Sequence, residues 1–342
     1  MEDLQPTAWR QPSTFTTQAD SLDRLEAACA ASDHARYQHI GTSEGGRPLA
    51  GVVLGDGPRT VSLIAGNHAD EPVGPATLRQ LVLDACQHPE WFGDLFDAYT
   101  VLVVPHTNPD AEARNQPWIS RWPDARAFLE HRVREQPGRD LEFGYPAMRP
   151  ENEAVARFIR PHAPVALHMS LHGMAFAEGG LLLINRPWTF RTEALQAAFR
   201  AATARANLGL HDHNRKGEKG FFYIDKGFTT TPEGAAMRTF FEAQGNPAMA
   251  ARFHDSSMEF VEGLGGDPLA LVTELPLFRV HNAAPAPGRP TAYLRLKARI
   301  AQGASFEALT ENFEWTPVPL ETAVALQQQT IAAALRTVHA AG

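Results

Sequence analysis

The sequence predicts an α/β fold, a sheet covered by helices, and three observations carry that reading. Apolar runs of strand length alternate with stretches of helical periodicity along the chain. Some of these runs, 60–65 and 99–105 among them, are almost continuously apolar, as strands covered on both faces are. With 342 residues, 44% of them hydrophobic and 19 of them Phe, the chain has the material for a sizeable core.

Residues 21–30 read as a short amphipathic helix opened by a capping Ser or Asp. Residues 36–40, 49–54 and 60–65 read as three strands. A helix over 71–86 carries Leu78, Leu81, Val82 and Ala85 on one face and tolerates Pro72 and Pro75 near its start. A buried strand follows at 99–105, then a helix at 151–159 and strands at 164–172 and 180–185. Helices are expected near 191–206 and 232–244, and an apolar strand at 269–274. Residues 282–290 have linker chemistry, and only helices are expected beyond them. The last helix spaces Leu320, Val324, Ile331, Leu335 and Val338 along one face. So short a tail makes a thin core by itself, so it is expected to pack on the main body. The expectation is one domain over 1–342, with a core of about 36–281 and a helical extension of about 289–340. The chain has no internal repeat and no low-complexity tract.

Lys plus Arg number 31 and Asp plus Glu 39, a formal charge of −8. Charged residues are 20% of the chain, too few for a disordered one. Without a long basic run, neither nucleic acid nor an anionic membrane is an expected partner. The two cysteines, Cys29 and Cys86, form no Cys-x-x-Cys and no zinc-finger spacing, and read as reduced packing residues. The start, Met1-Glu2-Asp3-Leu4, is acidic where a secretion signal is basic, and no stretch approaches the ~20 apolar residues of a membrane span. A soluble, cytoplasmic protein is expected; the oligomeric state is open.

Chemistry-bearing residues gather at three strand ends. Directly after 60–65 comes Gly66-Asn67-His68-Ala69-Asp70-Glu71. His and Glu three apart on one turn point the same way and reach one ion. About one such pair arises by chance in this composition; its place at the carboxyl end of a strand raises its meaning. Next, Leu167-His168-Met169-Ser170-Leu171-His172-Gly173 puts two histidines on one strand face. His172 stands where the apolar run stops and can project from the sheet's end, whereas His168 lies deeper and reads as a hydrogen-bonded core histidine. Finally, Leu271-Val272-Thr273-Glu274-Leu275-Pro276 sets an acid where a strand is expected to end. Two His, a Glu and a spare carboxylate make the set of a catalytic zinc with an open position for water. Glu274 would take a proton from that water and pass it to a leaving amine.

At these residues the sequence resembles the zinc carboxypeptidases and the related succinylglutamate desuccinylase and aspartoacylase group. The likeness rests on His68 and Glu71, on Asn108-Pro109-Asp110, on His172, on Thr273-Glu274-Leu275 and on the segment 256–260, and it spans about residues 41–278. The resemblance implies a mixed, twisted sheet with helices on both faces. It implies one zinc ion per chain on His68, Glu71 and His172, with Glu274 as general base. It also implies an arginine that polarises the carbonyl, for which Arg114 is the first choice and Arg121 the second. Met258, in the family's pocket segment, would line the substrate site.

One departure stands out. Where the family carries Asp-Leu-Asn-Arg, whose Asn-Arg pair clamps a terminal carboxylate, this chain reads Asp140-Leu141-Glu142-Phe143. A phenyl ring cannot grip a carboxylate and a Glu repels one. Either another arginine (Arg139, Arg149, Arg215 or Arg238) supplies the clamp, or Glu142 faces an amine or other polar group of a small peptide or amide. The expected reaction is hydrolysis of a peptide amide; deacylation of an N-acyl amino acid and a non-catalytic binding protein are the alternatives.

Other motifs have plainer readings. Gly41-Thr42-Ser43-Glu44-Gly45 matches a serine-hydrolase elbow, but Gly46-Arg47-Pro48 and a strand follow it, so a hairpin turn fits better. His106 near its strand end is a lining or packing residue. His211-Asp212-His213 is expected to face water. The aromatic, glycine-flanked stretch 217–227 is a mobile flap or a hairpin, with Tyr223 as an auxiliary donor.

Overall fold

The computed structural model describes Met1 and residues 3–342. Ten strands form one mixed sheet: β1 (Ala35–Thr42), β2 (Pro48–Leu54), β3 (Arg59–Ala65), β4 (Tyr99–Val104), β5 (Val165–Ala177), β6 (Leu181–Ile184), β7 (Tyr223–Asp225), β8 (Phe228–Thr230), β9 (Leu269–Val280) and β10 (Trp315–Pro317). Their order is β1-β2-β4-β3-β5-β9-β6-β8-β7, with β10 pairing to the far end of β9. The four central strands, β4, β3, β5 and β9, run parallel. Antiparallel pairing joins β1 to β2, β2 to β4, β6 to β9 and β7 to β8.

Alternation along β3 shows why both faces are covered. Val61 and Leu63 join the large core shared with Leu78, Leu81 and Val82 of helix Val73–Gln87 and with Ile331 and Leu335 of helix Leu320–Ala341. Ile64 faces the other way, into a second cluster with Val155 and Phe158 of helix Pro150–Ile159. This is the mixed sheet with helices on both faces that the sequence predicted.

The tail packs where its apolar face predicted, and it also underpins the central strands. Gln327 donates to the His172 carbonyl at 3.3 Å and to Thr273 Oγ1 at 3.1 Å, and accepts from Thr77 Oγ1 at 2.6 Å.

Several boundaries move. The strand expected to stop at His172 continues to Ala177, and the one expected to end by Pro276 continues to Val280, because β5 and β9 pair from Leu167/Leu269 to Ala177/Arg279. Pro276 is tolerated because it falls between the β9 residues that pair with β6 (271–274) and those that pair with β10 (278–280), where no ladder on that side needs its missing N–H. The expectation of helices alone beyond residue 290 is corrected by β10. The first helix starts at Gln18 under a Thr17 cap, not a Ser or Asp cap. Helix Pro109–Ile119, capped by Asn108, went unpredicted behind its inner Pro117. Residues 223–230 form the hairpin β7–β8. Cys29 and Cys86 are free, with sulfurs 3.9 Å apart.

Candidate metal centre

The strands deliver their polar residues to one end of the sheet. After β3 the chain turns at Gly66, whose φ of +85° and closeness to the His106 ring leave no room for a Cβ. Asn67 and His68 follow, and Glu71 N donates to the His68 carbonyl at 3.2 Å. His68 and Glu71 therefore share a single turn ahead of helix Val73–Gln87 rather than lying on it. His172 comes from within β5, opposite Glu274 of β9.

His68, Glu71 and His172 each present a ligand atom, all within 4.8 Å of one another. His172 Nδ1 is 2.9 Å from Glu71 Oε2 and 2.9 Å from His68 Nδ1, which is itself 3.1 Å from Glu71 Oε1. The two outward ring nitrogens have carboxylate partners. His68 Nε2 is 3.1 Å from both Asp140 oxygens, and His172 Nε2 donates to Glu142 Oε2 at 2.7 Å. With Nε2 as donor in both rings, the two Nδ1 lone pairs and the Glu71 carboxylate converge on one point. That is the donor set of a zinc site, with each histidine backed by a carboxylate. The pocket's demand for positive charge shows in the histidines themselves. Burial and Arg134 push the His68 pKa down, yet Asp140 and Glu71 bring it to about 9; burial likewise disfavours the His172 cation, but bonds to Glu142 and Glu71 raise its pKa well above the usual value.

Glu274 lies at the same end. Burial, and then the charge of Glu71, push its carboxyl up to about 8, and its Oε2 is buried without a hydrogen-bond partner. A carboxyl left unpaired beside a metal-ligand set is equipped to move a proton.

The arginine against the cluster is Arg134, which the sequence analysis missed. Its Nη1 donates to Glu71 Oε1 at 2.7 Å, its Nη2 is 2.9 Å from His68 Nδ1, and Asp70 lies 3.3 Å away. Arg114 instead pairs with Glu135 at 2.8 Å and Arg121 with Asp124 at 2.6 Å, each about half exposed. Arg134 stands in the irregular segment before Asp140, where no periodicity singles out one of several arginines. It also lines a cleft of about 620 Å³ with Arg47, Arg114, Arg139 and Arg149, among the acids Glu44, Asp110 and Glu135.

The expectation that Glu142 faces a substrate amine is corrected. Its side chain is buried, and Oε2 accepts from Asn67 Nδ2 at 2.7 Å and Ser170 Oγ at 2.8 Å besides His172. Oε1 accepts from Ser257 N at 2.9 Å and Ser257 Oγ at 2.6 Å. Phe143 is buried edge-on against Phe253, 5.6 Å between ring centres, and Met258 packs with Leu183, Ala270 and Val272. Both are core residues rather than an open wall, because their neighbours from residues 237–253 and from β6 and β9 fill the space. Tyr223 donates to Asp212 at 2.9 Å, which holds the β7 strand to the preceding loop.

The plainer motifs also find their places. Ser43 Oγ accepts from Arg47 N at 3.0 Å in the β1–β2 hairpin turn. His106 is buried and accepts from Asn108 N at 3.0 Å. His168 is buried between Ser62 Oγ (3.1 Å) and Ser257 Oγ (3.2 Å), the core histidine its depth predicted. His211, expected to face water, is buried edge-on against Tyr293, which comes from a distant helix.

The sequence model of the zinc carboxypeptidase family matches residues 20–188. No curated protein sequence matches the chain. Among solved structures it is similar to a metallo-carboxypeptidase from Burkholderia cenocepacia, with 16% identity, a TM-score of 0.57, and 95% of this chain and 69% of that one covered. Carboxypeptidase A from Helicoverpa armigera shares 13% identity at a TM-score of 0.55, covering 96% and 74%. A Pseudomonas aeruginosa metallo-carboxypeptidase, solved with (2-guanidinoethylmercapto)succinic acid, shares 19% at 0.50, covering 92% and 68%.

Proposed function

We propose that the chain, which matches the zinc carboxypeptidase model over residues 20–188 and is similar in fold to a solved metallo-carboxypeptidase, is a zinc-dependent hydrolase cleaving an amide bond of a small peptide. The observation that carries this is the convergence of His68 Nδ1, His172 Nδ1 and the Glu71 carboxylate beside an unpaired Glu274 oxygen. His68, Glu71 and His172 would hold one ion per chain. A bound zinc would supply Lewis acidity, lowering the pKa of water towards ~7 and polarising the carbonyl.

The remaining chemistry belongs to the chain. In its ionised form, which a bound cation beside it would favour, Glu274 accepts the proton of the attacking water and returns it to the leaving amine, a role its position and unpaired oxygen support. Arg134, freed from neutralising Glu71 when the ion is present, donates to the carbonyl oxygen as negative charge develops there. The arginine-lined cleft that Arg134 shares is the approach for substrate. Phe143, buried where a carboxylate clamp would stand, favours one second reading: deacylation of an N-acyl amino acid or small amide not gripped at that position.

Titrating zinc calorimetrically into chelator-stripped protein, beside His172→Ala, tests the centre. One tight ion per chain, lost in the variant, is expected; no tight binding to the parent protein removes the reading. Peptides with free and blocked C-termini, run against N-acyl amino acids, then decide between the two substrate classes.

A further inference from the structure

Glu142 is a buried carboxylate with five donors, and none of them belongs to the surface. Two turns of sequence meet on it: Asn67 from the loop after β3, and Ser257 from the N-terminus of helix Ser257–Glu262. Ser170 and His172 reach it from alternate positions of β5. A carboxylate this deep is costly unless every lone pair is used, and here the shortest bond to its Oε2, equalled only by that from Asn67, comes from the ring nitrogen that faces away from the cluster. It stands at the place where the family resemblance put the Asn of a substrate clamp, and Phe143 beside it has turned into an aromatic cluster.

Resting on the metal-centre reading above, we infer that Glu142 is a positioning residue of that centre. Its carboxylate holds His172 as the Nε2–H tautomer, fixes the plane of the ring and sets a negative charge behind the ligand nitrogen. The position thus serves the ion, not the substrate's carboxylate. Geometry separates this from plain core packing. Four other donors hold the carboxylate, Asn67 and Ser170 at Oε2 and the Ser257 N and Oγ at Oε1, so the ring is oriented by an acceptor that cannot follow it. Asp140, two residues earlier, stands behind His68 in the same way, but at 3.1 Å and with the Glu142 N–H as its other donor.

The test compares the parent protein, Glu142→Gln and Ser257→Ala for zinc affinity by chelator competition, for the visible spectrum of the cobalt-loaded protein, and for apo-protein melting. Glu142→Gln keeps the size and an acceptor but removes the charge. It is expected to weaken zinc about 10–100-fold, the range seen when such backing partners are changed, and to shift the cobalt bands. Should that variant not fold, Ser257→Ala carries the test, since it removes only the 2.6 Å donor to Oε1 from this carboxylate; a severalfold loss of zinc affinity with altered cobalt bands is expected. Parental affinity and an unchanged cobalt spectrum in the folded variant overturn the inference. A parent protein that binds neither ion overturns instead the metal-centre reading on which it rests.

Discussion

His168 and His172 lie four residues apart on one face of β5, and their surroundings drive them in opposite directions. His168 touches two hydroxyls, so burial lowers its pKa to about 4, against only a distant pull from Glu142. His172 is buried as well, yet two carboxylates more than offset that and raise its pKa well above the ordinary value. Strand period decided only that both side chains share a face. Which one joins the cluster with His68 and Glu71 was decided by distant segments: residues 62 and 257 surround the first, and 71 and 142 the second.

The largest effect expected is on metal binding, and it separates the pair directly. His172→Ala should weaken zinc by about a hundred- to several-thousandfold, because apparent binding energies of about 10–16 kcal/mol are shared among three or four ligands. His168→Ala should leave zinc affinity within about threefold. Chelator competition on both variants checks this, and equal losses would mean that the two histidines are not functionally distinct.

Glu274 and Glu142 extend the contrast to carboxylates beside the same histidine. Burial raises both pKa values, but the bonds from His172, Ser257 and Asn67 bring Glu142 to about 2, while Glu274, lacking them, stays at about 8. Glu274→Gln should keep zinc and lose about 10²–10⁴ in hydrolysis rate, the usual worth of a general base. Steady-state rates on zinc-loaded protein decide it, and an unimpaired variant would remove Glu274 from the mechanism.

A smaller loss is expected at the arginine. Arg134→Ala should lower kcat about 10²–10³-fold, the cost of one donor to a developing oxyanion. Arg114→Ala, whose guanidinium is held by Glu135, should change it less than about threefold. A reversed ranking would return the role to the arginine that the sequence favoured.

These pairs also show where the sequence could be read and where it could not. His68 and Glu71 stand out where the apolar run of β3 stops, and His172 and Glu274 where a polar residue interrupts an apolar run, although β5 and β9 continue past them. The central strands β3, β4, β5 and β9 were legible as short runs dominated by apolar residues. Arg134 and the partners of Glu142 were not, since they meet the cluster only through long-range packing of residues that are 63 and 30 positions away from their bonds' other ends. The Asp140–Phe143 frame could be aligned to a family pattern, but its side chains' direction could not. Phe143 needed Phe253 beneath it, and Glu142 needed Ser257, before either could be seen as interior.

The smallest effect concerns stability, and it sharpens the comparison at its inner end. The folded pKa of His168, about 4, lies below the ordinary 6.5, as do those of buried His106, about 4, and His211, about 3, burial being the main cause in each. Between pH 6.5 and about 4 the unfolded chain therefore binds protons that the folded chain refuses. The stability these three histidines contribute is full above pH 6.5 and falls as pH drops through that window, by up to about 1.4 kcal/mol per pH unit for each of them. His168→Ala should cost about 1–3 kcal/mol at pH 7, because the hydroxyls of Ser62 and Ser257 lose a buried partner. The variant's stability should then fall less steeply with acid than the parent's. Denaturant unfolding of both proteins at pH 7, 6 and 5 isolates the His168 contribution, since the metal centre and the other histidines are common to the two curves. Parallel slopes would mean that His168 carries its proton in the folded protein, and the contrast with His172 would be lost.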